Sequence, residues 1–352
     1  MTTSKTTARM VGLVLCGALV GAIGCGKADD GEFNGSVPTS ATVALAVPAA
    51  SANAASAASA SNVSVKGGAL QGQLAADYVV TRTVVGVVNT ATAAVLNLVK
   101  AITEYPPTTV QGDTAVWGPG TDPLSANTYR LTVTKVAPHV FTYTLDGKGK
   151  TEPETAFVTV LSGTHTRALD AAGQVMKGFG SGDFTLDFDA ADTLPQHDDN
   201  VGQVAFHYSR LSPTATVTID VSFTGVQDHC DPLACKTSGQ IFDAVYAYSA
   251  TPGSGGDLQY GDAKNYVATS SAKETLSLHS RWLETGAGRT DLQMTGGDVG
   301  VTVDTSSECW DSNFGSVYSF ASYDPGNAMA NWGAEANCGA FQAAAFVALT
   351  VP

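Results

Sequence analysis

The residues in this chain whose types and spacing could do chemistry are its six cysteines, its six histidines and one dense acidic stretch. Cys230 and Cys235 stand in a C-x-x-x-x-C arrangement within the segment that begins at His229, and Cys309 and Cys338 follow late in the chain. A redox dithiol is more often spaced C-x-x-C, so these four read first as structural disulfides of an exported chain. Pairing Cys230 with Cys235 and Cys309 with Cys338 needs the least rearrangement: the first bridge staples one loop, and the second joins the last two strand regions. A zinc site would need His229, Cys230, Asp231 and Cys235 to converge, and oxidation would remove its thiolates. The acidic stretch places Asp187 and Asp189 on one face of a strand. With Asp192 they form a candidate cation site of oxygen ligands, though without the turn glycine and closing glutamate of an EF-hand loop. A solvated strand end followed by a turn is the plainer reading.

No catalytic residue is assigned. The sequence holds no G-x-S-x-G elbow, H-E-x-x-H pair, phosphate loop or dinucleotide fingerprint, and the glycines between Gly178 and Gly182 precede a strand, not a helix. The histidines at 139, 165, 197, 207, 229 and 279 are dispersed. Only the fold could bring them to acids, which keeps an unrecognised hydrolase as one reading. No cofactor is expected.

The start of the chain carries a different chemistry. Lys5 and Arg9 precede an uncharged run from Met10 to Gly24. That run is shorter than the about 20 apolar residues of a membrane span, and the order of charge then apolar core is that of a secretory signal. With Ala22-Ile23-Gly24 leading into Cys25, it resembles the signal peptides of bacterial lipoproteins, in which a lipobox precedes a cysteine that is diacylated on sulfur and freed by signal peptidase II. The resemblance implies that residues 1–24 are a signal peptide and Cys25 is the lipidation site; Ala22 stands where the family usually has Leu. Gly26-Lys27 after the cysteine, in place of Asp, implies sorting to an outer membrane. Several acyl chains, each contributing about 0.8 kcal/mol per buried CH2, would anchor the protein without a transmembrane helix.

The formal charge is −14, and loss of residues 1–24 would remove Lys5 and Arg9 and no acid, leaving −16. Such a surface repels nucleic acid and anionic headgroups, and no basic patch with interleaved aromatics offsets it, so no nucleic-acid partner is expected. Only 14% of residues are charged and 37 are glycine, a composition suited to a turn-rich exported β protein. Residues 25–64, rich in Ala and Ser, read as a mobile tether with about 30 Å of reach.

The elements that would position any site lie in residues 65–352, read as a single β-rich domain. A long amphipathic helix is expected over about 76–104, with Val80, Val84, Val87, Val88, Ala91, Val95, Leu98 and Ile102 on one stripe and Pro106-Pro107 ending it. Alternating segments then read as antiparallel strands from about 114 to 349, including a hairpin around Ala137-Pro138-His139, a strand over 265–270 and a last strand over 340–349. The expected fold is mainly β: an antiparallel meander forming a curved sheet or incomplete barrel, with the long helix as its N-terminal element. In outline this is similar to the half-barrel of periplasmic lipoprotein carriers, a likeness of architecture that does not license function. The expected function is a membrane-anchored, non-catalytic structural or interaction module of the envelope, meeting another envelope protein. The alternative is a carrier or sensor of a hydrophobic ligand held between sheet and helix.

Overall fold

A computed structural model of the chain describes residues 32–33, 35–49, 70–121, 124–229, 237–266, 271–328 and 330–352. Cys25, Cys230 and Cys235 lie outside them.

The sheet follows from the alternation seen in the sequence. Among the described residues, fourteen strands pair antiparallel in strict chain order, and the first and last of them do not pair to close the sheet. They are β1 Thr109–Gln111, β2 Thr114–Gly120, β3 Asn127–Ala137, β4 Val140–Gly149, β5 Val158–Leu169, β6 Val175–Asp187 and β7 Gln203–Arg210. The second half continues with β8 Val217–Gln227, β9 Ile241–Thr251, β10 Gly255–Lys264, β11 Glu274–Leu283, β12 Gly288–Gly296, β13 Gly300–Trp310 and β14 Ser316–Ala321. The expected hairpin is β3–β4, turning at His139 with a positive φ of 64°. Both sheet edges are kept short, as an exposed strand edge requires. β1 has only 3 residues, and on β14 Ser319 exchanges both backbone hydrogen bonds with Trp332.

Two expected strands are corrected. Residues 265–266 are not in a strand, and residues 267–270 lie outside the described set. The strand in this region is β10, which its three glycines, Gly255, Gly256 and Gly261, had obscured. Gly256 is needed there: a Cβ on it would come within 2.4 Å of the Trp282 ring lying across it from β11. Residues 340–349 are not a strand either. After a 3-10 turn at Glu335–Phe341 the chain lies extended across the outer face of β11 and β12, caught by side chains instead of by a backbone ladder. Ala345 N–H donates to Asp291, Leu349 N–H donates to Ser277 Oγ, Arg281 donates to the Ala343 carbonyl, and His279 Nδ1 meets the Ala345 carbonyl. Arg289, fully buried, donates to Asp291, Glu335 and the carbonyls of Phe341 and Gln342. The Cys309–Cys338 disulfide ties this segment to β13.

The inner face is covered by α1, Ala76–Thr103, close to the expected bounds. It is not the fold's N-terminal element, because packed chain precedes it. Its buried line runs through Tyr78, Thr81, Val85, Val88, Thr92, Leu96 and Val99, with the expected Val80, Val84, Val95, Leu98 and Ile102 partly buried beside it. Val87, placed on the stripe from sequence, is exposed. Threonines are tolerated because their hydroxyls bond back to carbonyls four residues earlier, as Thr81 does to Asp77 and Thr92 to Val88. No side chain of its own caps α1; Glu308 of β13 accepts from Asp77 N–H at 2.7 Å and so meets the partial positive charge of the helix start.

The largest correction concerns the expected tether. Residues 35–49, preceded by Glu32 and Phe33, form a strap alongside α1 on the inner face, with Phe33, Val37, Val43 and Leu45 in the main core. The side-chain amide of Asn89 on α1 bonds both the N–H and the C=O of Leu45, as a neighbouring strand would. The Tyr248 hydroxyl likewise accepts from Ala46 N–H and donates to Ala46 C=O. Arg167 donates to the carbonyls of Glu32 and Gly35, and Arg210 to that of Ala41.

A buried leucine cut to alanine costs about 2–5 kcal/mol, so Leu45→Ala should lower the urea-unfolding free energy by that order. A mobile tether would show no change at this position. A chain started at Val65 should lose far more than one started at Gly26.

Candidate functional site

Strand alternation puts the polar and aromatic residues of the inner face into rows that cross the sheet. One row passes through Tyr143, Gly163, Phe184, Phe206, Val221 and Tyr246, which are successive cross-strand partners from β4 to β9. The next passes through Phe141, His165, Gly182, Tyr208, Ile219 and Tyr248 by the same register. Glycine makes room for the rings: a Cβ on Gly163 would meet the Tyr143 hydroxyl at 2.7 Å, and one on Gly182 the Tyr208 hydroxyl at 2.9 Å. Phe184 stacks on Phe206 with centroids 4.5 Å apart.

His165 Nδ1 lies 2.7 Å from the Tyr208 hydroxyl. Burial, and then the charge of Arg167, lower its pKa to about 4, so the imidazole is neutral at pH 7. Burial also raises the phenols of Tyr143, Tyr208 and Tyr246 above their ordinary range. This layer therefore holds its protons near neutrality. The hydroxyls of Tyr143 and Tyr246 are buried with no hydrogen-bond partner among the described residues. A cleft opens between the strap and α1, lined by Ser40, Ala41, Val43, Ala44, Asn89 and Thr92.

Where the rows reach the start of α1, a second polar group is buried. Thr81 Oγ1 lies 2.8 Å from Ser280 Oγ and Thr290 Oγ1 2.9 Å from it, and Ser316 donates to Glu308. Burial, then the Glu308 and Asp291 carboxylates, push the Asp77 carboxyl well above the usual carboxylate range. A perturbed carboxyl is an active-site signal. Here the Glu308 carboxylate is spent on the helix cap, and its charge is one cause of the upward shift at Asp77.

The residues singled out in sequence fall elsewhere. Cys309 and Cys338 are bonded to each other on the outer face. Asp187 caps a short helix α2, Phe188–Asp192, by accepting from Ala190 N–H, and also accepts from Gln203. Asp189 accepts from Gly202 N–H, and Asp192 lies 3.4 Å from His197. Each carboxylate is thus tied to its own neighbourhood, and no metal-holding group of His, Cys, Asp or Glu occurs among the described residues. Sequence reasoning missed the tyrosine and histidine layer, which becomes visible only once the register is known. The strap did carry a signal, the alternation of Val43, Leu45 and Val47 inside the Ala/Ser-rich stretch. Comparison with protein-family models, with curated proteins and with solved structures finds no match.

The buried histidine makes stability depend on pH in one direction. As pH falls, the unfolded chain takes up a proton on His165 near 6.5, whereas the folded chain does so only near 4. Stability is therefore full above about pH 6.5 and declines by up to about 3 kcal/mol as pH falls towards 4. Urea titrations from pH 4 to 7 should show this slope in the parent protein and its loss in His165→Gln.

Proposed function

We propose that the chain is an exported lipoprotein, lipidated at Cys25 and held on an outer membrane, whose β domain is a non-catalytic structural or interaction module. The observation that carries the non-catalytic reading is the occupied inner face: α1 and the strap fill it with side chains, with Glu308 spent on capping α1 and Tyr248 on holding the strap. The anchoring reading rests on the lipobox-like run before Cys25. The sheet is read as curving around α1, since residues from β2 through β12 share one core with that helix. In this reading the protein presents outer surfaces to an envelope partner and keeps its interior closed.

The second reading, a carrier or sensor of a hydrophobic ligand, is favoured by one observation. The Tyr143 and Tyr246 hydroxyls are buried in the main core without a hydrogen-bond partner among the described residues, and a ligand with a polar group could supply one if the strap or α1 moved away.

Cys25→Ser should leave the chain without acyl mass and move it from the membrane to the soluble fraction. If the variant still sediments fully with membranes, the lipid is not what anchors it. Native mass spectrometry of an unlipidated chain begun at Gly26, which keeps the strap, should show a protein free of bound lipid. A stoichiometric lipid there would transfer the case to the carrier reading.

A further inference from the structure

The strap enters the fold at one rim of the sheet. Glu32 pairs with Lys135 near the end of β3, its carbonyl is held by Arg167 near the end of β5, and Phe33 packs edge-on against Phe141 at the start of β4. All three contacts lie beside the β3–β4 and β5–β6 turns. Chain from Cys25 to Glu32 can span at most about 25 Å even when fully extended, whereas the 11 residues of β8 alone carry the sheet about 35 Å from rim to rim. A lipidated Cys25 therefore places this rim, and not the opposite one, close to the bilayer.

The exposed side chains of the same rim agree. The exposed apolar residues Val136, Leu169, Val175 and Leu211 sit at the β3–β4, β5–β6 and β7–β8 turns. Among the cations of this rim Lys177 is exposed, whereas Lys135 pairs with Glu32, Arg167 is buried on the strap carbonyls of Glu32 and Gly35, and Arg210 donates to that of Ala41; Glu32, Asp113 and Asp170 are the acids beside them. The opposite rim also exposes apolar tips, Leu124, Ile241 and Val301, but over the same strands it carries Asp187, Asp189, Asp192, Asp198 and Asp199. Lys148 and Lys150 there are matched by Glu152 and Glu154. Anionic headgroups therefore repel the second rim more strongly than the first. The remaining turns of the first rim, at Asp113, Glu284 and Asp311, are acidic, so contact is confined to the β3–β8 part.

We propose that the β3–β4, β5–β6 and β7–β8 turns form a membrane-contact surface that seats on the phospholipid leaflet carrying the Cys25 acyl chains, with the apolar tips in the headgroup layer and Lys177 beside lipid phosphates. This rests on the lipidation of Cys25. The test uses the full lipidated chain in phosphatidylethanolamine/phosphatidylglycerol vesicles with brominated acyl chains. Leu169→Trp and Leu211→Trp report the near rim and Leu124→Trp and Ile241→Trp the far rim, each read as the difference from the parent protein. The near-rim tryptophans should be blue-shifted and lose emission to the brominated lipid, while the far-rim pair keeps its emission. Quenching of the far-rim pair, or of neither pair, overturns the proposal. The mass of the N-terminal peptide separates the two readings: a peptide without acyl chains refutes the anchoring, whereas an acylated chain with unquenched near-rim tryptophans refutes only the contact surface.

Discussion

A fourteen-stranded meander creates one apolar face that has to leave water, and nearly every other feature of this protein answers that requirement. α1 alone covers part of it. The strap beside α1 covers more, and supplies backbone groups that Asn89, Arg167, Arg210 and Tyr248 then satisfy. Because buried backbone polar groups must be paired, the strap can lie against the sheet only where such side chains await it, which explains arginines and tyrosine hydroxyls on a face otherwise built from Leu, Val and Phe. The outer face of β11 and β12 solves the same problem with Arg281, Arg289, Asp291 and His279 under the C-terminal segment.

The buried polar groups divide by what burial does to them. His165 is held neutral in the interior and makes the fold acid-sensitive. Burial, with the charges of Glu308 and Asp291 beside it, raises the Asp77 carboxyl well above its ordinary range. A fully buried ion pair such as Arg289–Asp291 contributes less through its own attraction than it would cost to leave either partner alone. Its effect is to fix where the C-terminal segment lies.

Much of the framework was legible in the sequence. α1 could be bounded to within a residue or so because a long helical period runs into Pro106-Pro107, and most strands declared themselves by alternation between turn residues. The Cys309–Cys338 pairing agreed with the least rearrangement of the chain. What stayed illegible had physical reasons. β10 hid behind glycines, of which Gly256 admits the Trp282 ring, and residues 340–349 have a strand's composition but are caught by side chains across a face. The strap's short apolar alternation was drowned by the Ala and Ser around it. The tyrosine and histidine layer depends on register across six strands, which local pattern does not encode.

The strap also sets an order of events in folding. Glu32 bonds to Lys135, 103 residues later, and Ala46 to Tyr248, 202 residues later. The first part of the fold to be synthesised is thus among the last able to dock, since its seat does not exist until β9 has paired. Contacts of such separation form slowly. Until they form, the sheet's apolar face stands partly open, so the newly made chain carries its own cover but needs protection from aggregation while it waits to use it.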